Sequence, residues 1–171
     1  MTNFARLLTA AAVTATTLAA TPALAAAVGA STPATAKAQI VKPLTLTAKQ
    51  NLDFGTIVLA NVTAATSVAV SSAGAVTCGT GLTCAGAPKP AIYNVAGTKS
   101  QLIHIYSAAT NLTNAADSTT IVFTPSVPAT VTLSNSGSPG DDFNVGGSIA
   151  IGTTTTDGVY SGNINVTVDY N

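Results

Sequence analysis

The sequence predicts an all-β protein of the immunoglobulin-like sandwich class, with about seven to nine strands. Of its 171 residues, 47% are hydrophobic and only 7% are charged, and Ser, Thr, Ala, Val, Gly and Asn predominate. Short runs in which apolar and polar residues alternate recur between clusters of Gly, Pro, Asn and Asp. No helical period is sustained over a useful length, so strands and turns account best for the pattern.

Residues 1–25 have the organisation of a secretory signal peptide. Arg6 supplies a positive charge, residues 7–18 are apolar, and Ala23, Leu24 and Ala25 form the small-x-small pattern of a cleavage site. The apolar run is shorter than the ~20 residues that a bilayer span needs. We therefore expect an exported protein, and we expect no membrane span in the mature chain.

The segment that follows, residues 26–37, is small in its side chains and rich in Ala and Thr. Such a stretch buries too little apolar surface to fold alone, so we expect a flexible N-terminal extension. Residues 38–171 are then expected to form a single sandwich domain.

The two cysteines of the chain, Cys78 and Cys84, lie close together in the sequence among glycines. In an exported protein this arrangement predicts a local disulfide, worth about 2 kcal/mol in the chain-entropy estimate. A metal or redox role would require a C-x-x-C spacing or neighbouring His ligands, and neither is present.

Between the extension and the C-terminus, short strands are predicted wherever alternation holds. The predicted strand runs are 39–47, 52–59, 62–70, 92–96, 102–106, 119–124, 130–133 and 149–151. Pro43 indicates an edge strand or a bend in the first run. Residues 134–147, which are rich in Asn, Ser, Gly, Pro and Asp, are predicted to form a long loop.

The clearest strand is predicted at the C-terminus, over residues 160–170. Its odd positions are all polar, whereas its even positions are apolar apart from Gly162. This pattern indicates one buried and one solvent-facing side. The side chains predicted to form the core and assembly face are Tyr160, Ile164, Val166, Val168 and Tyr170.

Two motifs together resemble a known family. Residues 44–47 (LTLT) are followed by residues 52–57 (LDFGTI), and residues 158–162 (GVYSG) lead into the terminal strand. This pairing resembles the bacterial domain-of-unknown-function family 4402, and it is similar to the spore-coat-U-like pilins of archaic chaperone–usher systems. The resemblance covers the chain from about residue 38.

The resemblance implies an incomplete sandwich whose groove is filled by an extended segment of a partner. The implied partners are like subunits, a periplasmic chaperone and an outer-membrane usher, and the implied location is the periplasm, the cell surface or a fimbrium. Two segments remain open as the donor, residues 26–37 and residues 36–46. A donor strand needs large apolar side chains, and apart from Pro33 the first segment has only Val28. A complete sandwich that does not polymerise is the third alternative.

Groups for catalysis are scarce in this sequence. The single histidine, His104, lies between apolar residues of a predicted strand, and Asp53 is expected to accept hydrogen bonds from the Gly55 turn. No Gly-x-Ser-x-Gly elbow is present, and there is no Glu to pair with an Asp. We therefore predict a non-enzymatic protein without a cofactor or a metal centre.

The cluster of oxygen ligands in the chain consists of Asp141, Asp142 and Asn144, so calcium binding there stays open although the spacing is not that of an EF-hand. The six basic and six acidic residues cancel, which leaves no basic field for nucleic acid. The main functional hypothesis is an exported pilin-like structural subunit that assembles by strand complementation. The alternative is a secreted binding or adhesion module that recognises a glycan or a protein through its loops.

Overall fold

The computed structural model describes residues 27–171, and the predicted signal peptide of residues 1–25 lies outside them. The described residues fall into two units, residues 27–38 and Gln39–Asn171. In the first unit, residues 27–38 are exposed and contain no strand. No helix within residues 27–171 has the length and apolar character needed to cross a bilayer.

The second unit is built from antiparallel strands, which confirms the all-β prediction. The strands are β1 (Thr45–Gln50), β2 (Thr56–Leu59), β3 (Thr66–Val70), β4 (Val76–Cys78), β5 (Leu82–Ala85), β6 (Ala91–Ala96), β7 (Leu102–Ser107), β8 (Thr110–Asn114), β9 (Thr120–Ser126), β10 (Thr130–Thr132), β11 (Asp141–Ile151), β12 (Tyr160–Ser161) and β13 (Val166–Tyr170). Several are only two to four residues long, which is why the 13 strands of the described chain exceed the number predicted from the alternating runs.

The strands form one large sheet and two small ones. The large sheet has the order β1-β6-β11-β9-β8-β12, and β3 joins it through β11 and carries β4. The small sheets have the orders β10-β7-β13 and β2-β5. Strand β11 organises the large sheet, because its first half pairs with β6 and its second half lies between β3 and β9.

The first half of β11 falls in residues 134–147, which the sequence predicted to be a long loop, and that prediction was wrong for residues 141–147. Phe143 and Val145 are buried while Asp142 and Asn144 are exposed, so the segment does alternate. Gly146 and Gly147 obscured the pattern. Both are needed for close packing, since a Cβ on Gly147 would lie 2.7 Å from Cζ of Phe123.

The core consists of two clusters of buried side chains. Cluster 1 joins the large sheet to β7 and comprises Ala91, Val95, Ile103, Ile105, Leu133, Phe143 and Val145. Cluster 2 comprises Val68, Ile121, Phe123, Ile149 and Ile151. Cluster 2 lies beneath the groove described next, and its side chains are at most 7% exposed.

Candidate functional site

A long groove with an apolar floor opens over cluster 2, and its cavity volume is about 1290 Å³. Side chains of β8, β9 and β11 form the floor, namely Leu112, Ile121, Phe123, Ile149 and Ile151. Residues 51–59 form the first wall, and residues 158–165 form the second wall. Apart from the half-buried Leu112, the floor side chains are buried, because apolar side chains of the two walls pack on them.

The first wall is held in place by a turn at Gly55. The backbone N–H of Gly55 donates to Oδ1 of Asp53 at 2.8 Å, as the sequence predicted for this carboxylate. Gly55 has a φ of 73°, which favours glycine, and a Cβ there would collide with the carbonyl of Ala85. The turn directs Phe54 onto the floor, where its ring meets Phe123 edge to face at 6.1 Å.

Behind the first wall lies the predicted disulfide between Cys78 and Cys84, which the structure confirms. It links β4 to β5, and β5 pairs with β2 in the wall. Strand β2 has β5 as its sole strand partner among the described residues, so its other edge is not paired. The disulfide therefore anchors β5, the strand that pairs with the edge strand β2.

The second wall departs from the predicted continuous strand over residues 160–170. The structure divides this run into β12, which pairs with β8, and β13, which pairs with β7. Gly162 lies in the gap, where a Cβ would be 2.7 Å from the carbonyl oxygen of Asn111. The segment crosses from one sheet to another at this point, which local alternation cannot reveal.

The alternation itself is confirmed, because Ile164 and the apolar residues of β12 and β13 are half-buried while every odd position of residues 160–170 is exposed. Tyr160 packs on cluster 2, and Ile164 packs on both clusters. Val166, Val168 and Tyr170 pack on cluster 1 instead. The structure thus brings Tyr160 and Ile164 into the groove and places the other three predicted face residues in the core beside it.

The hydroxyl of Tyr160 belongs to a network of polar side chains at one end of the groove. This hydroxyl lies 3.1 Å from Oγ1 of Thr119 and 3.0 Å from Oγ1 of Thr156, and these hydrogen bonds lower the pKa of Tyr160. Asp117 accepts hydrogen bonds from the same two hydroxyls, that of Thr119 first, which lower the pKa of its carboxyl group. Beneath them Asn114 is 1% exposed and donates to the carbonyl of Asp157.

The groove is weakly acidic. Asp53 and Asp157 belong to its lining, whereas no Lys, Arg or His does. At its other end the hydroxyl of Tyr93 donates to the carbonyl of Ile164 at 3.2 Å. Burial raises the pKa of Tyr93, so the phenol stays protonated and acts as a donor at neutral pH.

The other residues considered from the sequence do not join this site. The ring of His104 stacks on Tyr106 with centroids 6.2 Å apart on the outer face of β7, and its cross-strand partner on β13 is Asp169. Asp142 binds Lys49 at 2.8 Å, and this hydrogen bond is the largest cause that lowers the pKa of its carboxyl group. Asp141 instead accepts hydrogen bonds from Ser134.

No cluster of three His, Cys, Asp or Glu suited to a metal ion occurs in residues 27–171. Asp141 and Asp142 are neighbours on β11, so their side chains leave opposite faces of the strand.

Sequence reasoning missed the role of the first wall and of Tyr93. The sequence predicted a strand over residues 52–59 with Leu52, Phe54 and Val58 on one face. The strand begins only at Thr56, and Val58 is exposed, because the turn at Gly55 changes the register. The position of this wall opposite the terminal segment depends on long-range packing. The family resemblance carried the one usable signal, because its LDFGTI segment (residues 52–57) lies in the first wall and its GVYSG segment (residues 158–162) lies in the second.

The chain matches the family described as domain of unknown function (DUF4402) over residues 44–170, and it belongs to that family. Comparison with curated proteins and comparison with solved structures each found no match.

Proposed function

We propose that this protein is a non-enzymatic, exported structural subunit that assembles by β-strand complementation, with the groove as the acceptor. This proposal rests on a groove with an apolar lining between two edge strands, β2 and β12, each of which has one strand partner in the part of the chain that the structure describes. An unpaired edge beside an apolar floor is a template for an added strand. An extended segment would pair with such an edge and pack on the apolar lining of the groove.

The proposed occupant is residues 34–41 of a second copy of this chain. Pro33 ends the segment on one side because proline cannot donate to a strand ladder, and Pro43 bounds it on the other. Within it one side of an extended chain carries Ala34, Ala36, Ala38 and Ile40, which are all apolar. Ile40 is 91% exposed in the subunit, so this side chain is available to a neighbour.

The charges of donor and acceptor are complementary. Lys37 is the one charged residue of the proposed donor, residues 34–41, and it is basic. The groove carries Asp53 and Asp157 and no basic side chain. Lys37 lies on the side of the donor opposite Ile40, so it would stay in solvent near the acidic walls while Ile40 enters the floor.

The position of β1 restricts which of the two donor segments considered from the sequence can leave the subunit. Leu44 and Leu46 pack on cluster 1, and Thr45–Gln50 pairs with β6 in the subunit's own sheet. Donation of residues up to 46 would remove part of the first strand from the subunit's own sheet, so the proposed donor ends at Val41. A periplasmic chaperone would cover the groove before assembly, and an outer-membrane usher would exchange it for the donor.

The test compares two aspartate substitutions at exposed positions that lie outside the fold of the acceptor. Ile40→Asp removes the one large side chain of the apolar side of the donor, whereas Val28→Asp changes a residue that is 95% exposed and precedes Pro33. Light scattering and electron microscopy of the purified chain are expected to show assemblies for wild type and Val28→Asp and monomers for Ile40→Asp. Equal assembly of all three would refute the donor, and monomers throughout would refute strand-mediated assembly.

A further inference from the structure

At one end of the groove, the side chain of Tyr93 connects the large sheet to the second wall through a hydrogen bond. Tyr93 lies on β6 in the large sheet, and its partner, the carbonyl of Ile164, lies in the gap between β12 and β13. Both residues line the groove. The hydrogen bond therefore ties the terminal wall to the large sheet at the place where an added strand would pass.

The neighbouring carbonyls show which edge of the wall Ile164 uses. The carbonyl of Asn163 accepts from Oγ1 of Thr110 at 3.1 Å, and that of Asn165 accepts from Oγ of Ser107 at 2.9 Å, so both point toward β7 and β8. Successive carbonyls of an extended chain point to opposite edges. The carbonyl of Ile164 consequently belongs to the edge that β7 and β8 leave unpaired.

The Tyr93 hydrogen bond is easily replaced. Its oxygen–oxygen distance of 3.2 Å is longer than the usual range for a hydroxyl donor. The ring of Tyr93 is held separately, because it stacks on Phe143 with centroids 5.8 Å apart. The hydroxyl can thus lose its partner without loss of the packing that fixes the ring.

We infer that the Tyr93–Ile164 hydrogen bond is a latch that holds the empty groove and that an incoming strand must break. This inference rests on the proposed function, since it assigns a regulatory contact to the same acceptor. A backbone N–H of the incoming strand takes over the carbonyl of Ile164, and the phenol turns to water. The latch satisfies an otherwise unpaired edge group in the free subunit and slows premature strand addition.

The experiment measures binding of a fluorescent peptide with the sequence of residues 34–41 to the full chain by anisotropy. The chain carries Ile40→Asp, so that its own donor does not compete. In this background Tyr93→Phe removes the latch and keeps the ring, and Tyr106→Phe removes the hydroxyl of a tyrosine that is 54% exposed on β7 outside the groove. Tyr93→Phe is expected to lower the dissociation constant about fivefold, equivalent to about 1 kcal/mol, and to raise the association rate.

Each outcome decides a separate point. Tighter binding by Tyr93→Phe, with Tyr106→Phe equal to the parent chain, supports the latch. Equal binding by all three chains, or weaker binding by Tyr93→Phe, overturns the latch and leaves strand complementation standing. Absence of binding by all three chains overturns the proposed function, and the latch fails with it. Circular dichroism of each variant verifies that the subunit is folded.

Discussion

The hydroxyl of Tyr170 donates a hydrogen bond to the carbonyl of Lys42 at 2.6 Å, so the end of the last strand closes on the residues that lead into the first. The same hydroxyl accepts a hydrogen bond from the backbone N–H of Thr98 at 2.8 Å. Three separate parts of the chain therefore meet at one phenol. Tyr170 was predicted from the sequence as part of an apolar face, and its polar end turns out to fasten that face to the rest of the sandwich.

Tyr170→Phe is expected to lower the free energy of unfolding by about 1–3 kcal/mol, because it leaves the Thr98 N–H and the Lys42 carbonyl without their partner. Urea unfolding followed by circular dichroism measures the change. Tyr106→Phe is the matched control, since its hydroxyl has no hydrogen bond within the described part of the chain and its removal should leave stability unchanged. A loss of the same size in both variants would contradict the closing role of Tyr170.

Gly97 packs directly beneath this closure. A Cβ at Gly97 would collide with Oη of Tyr170 and would lie 2.7 Å from Cδ2 of Leu44 and 2.8 Å from Cδ1 of Leu133. Gly97→Ala is expected to cost about 1–3 kcal/mol through overpacking, as measured by thermal unfolding. Gly29→Ala, where a Cβ meets nothing within 4 Å, should have no effect. An unchanged melting temperature for Gly97→Ala would show that the packing around Tyr170 is loose.

The sequence was sufficient for those features that depend on local alternation. The polar and apolar sides of residues 160–170 and the Cys78–Cys84 disulfide were predicted, because side-chain direction and short loop closure are set within a few residues. The break around Gly162 was not predicted, since it reflects a change of partner from β8 to β7. The hydroxyl contact of Tyr93 was equally out of reach, because its partner is 71 residues away.

Val166 tests which side of the last strand faces the core. Val166→Asp places a charge against cluster 1, and we expect a loss of about 3 kcal/mol or failure to fold, because nothing there compensates the charge. Thr167→Asp puts the same charge on the exposed side of the same strand and should be tolerated. Expression yield and urea unfolding distinguish the two. Equal tolerance would mean that the assignment of the two sides is incorrect.

The disulfide is expected to stabilise the first wall of the groove more than the rest of the sandwich. Replacing both Cys78 and Cys84 with Ser should cost about 2 kcal/mol, because the unfolded chain regains the entropy of the open loop. Hydrogen exchange of the β2 and β5 amides should accelerate, while that of the β9 amides should change only with the overall stability. Uniform acceleration across the sandwich would show that the disulfide does not act on the wall.

The lowered pKa of Asp117 predicts a specific acid sensitivity. Hydrogen bonds from Thr119 and, to a lesser extent, Thr156 lower the pKa of the Asp117 carboxyl group in the folded state. The ionised carboxylate therefore stabilises the folded protein above the unfolded-state pKa of about 4. This stabilisation is lost as the pH falls through the lower pKa of the folded state. Urea unfolding at neutral pH and at about pH 3 should show a smaller decrease for Asp117→Asn than for wild type. Identical decreases in the two proteins would show that Asp117 does not contribute to the acid sensitivity.

The most direct test of strand complementation is disulfide trapping between two copies. The chain has no free cysteine among residues 27–171, so a chain with Ile40→Cys can be mixed with a chain with Leu112→Cys in the groove floor. A chain with Val122→Cys, on the opposite face of the same sheet and 49% exposed, replaces the acceptor in the control mixture. Strand complementation predicts a cross-linked heterodimer between the Ile40→Cys and Leu112→Cys chains and none between the Ile40→Cys and Val122→Cys chains. Equal cross-linking in the two mixtures, or none in either, would contradict it.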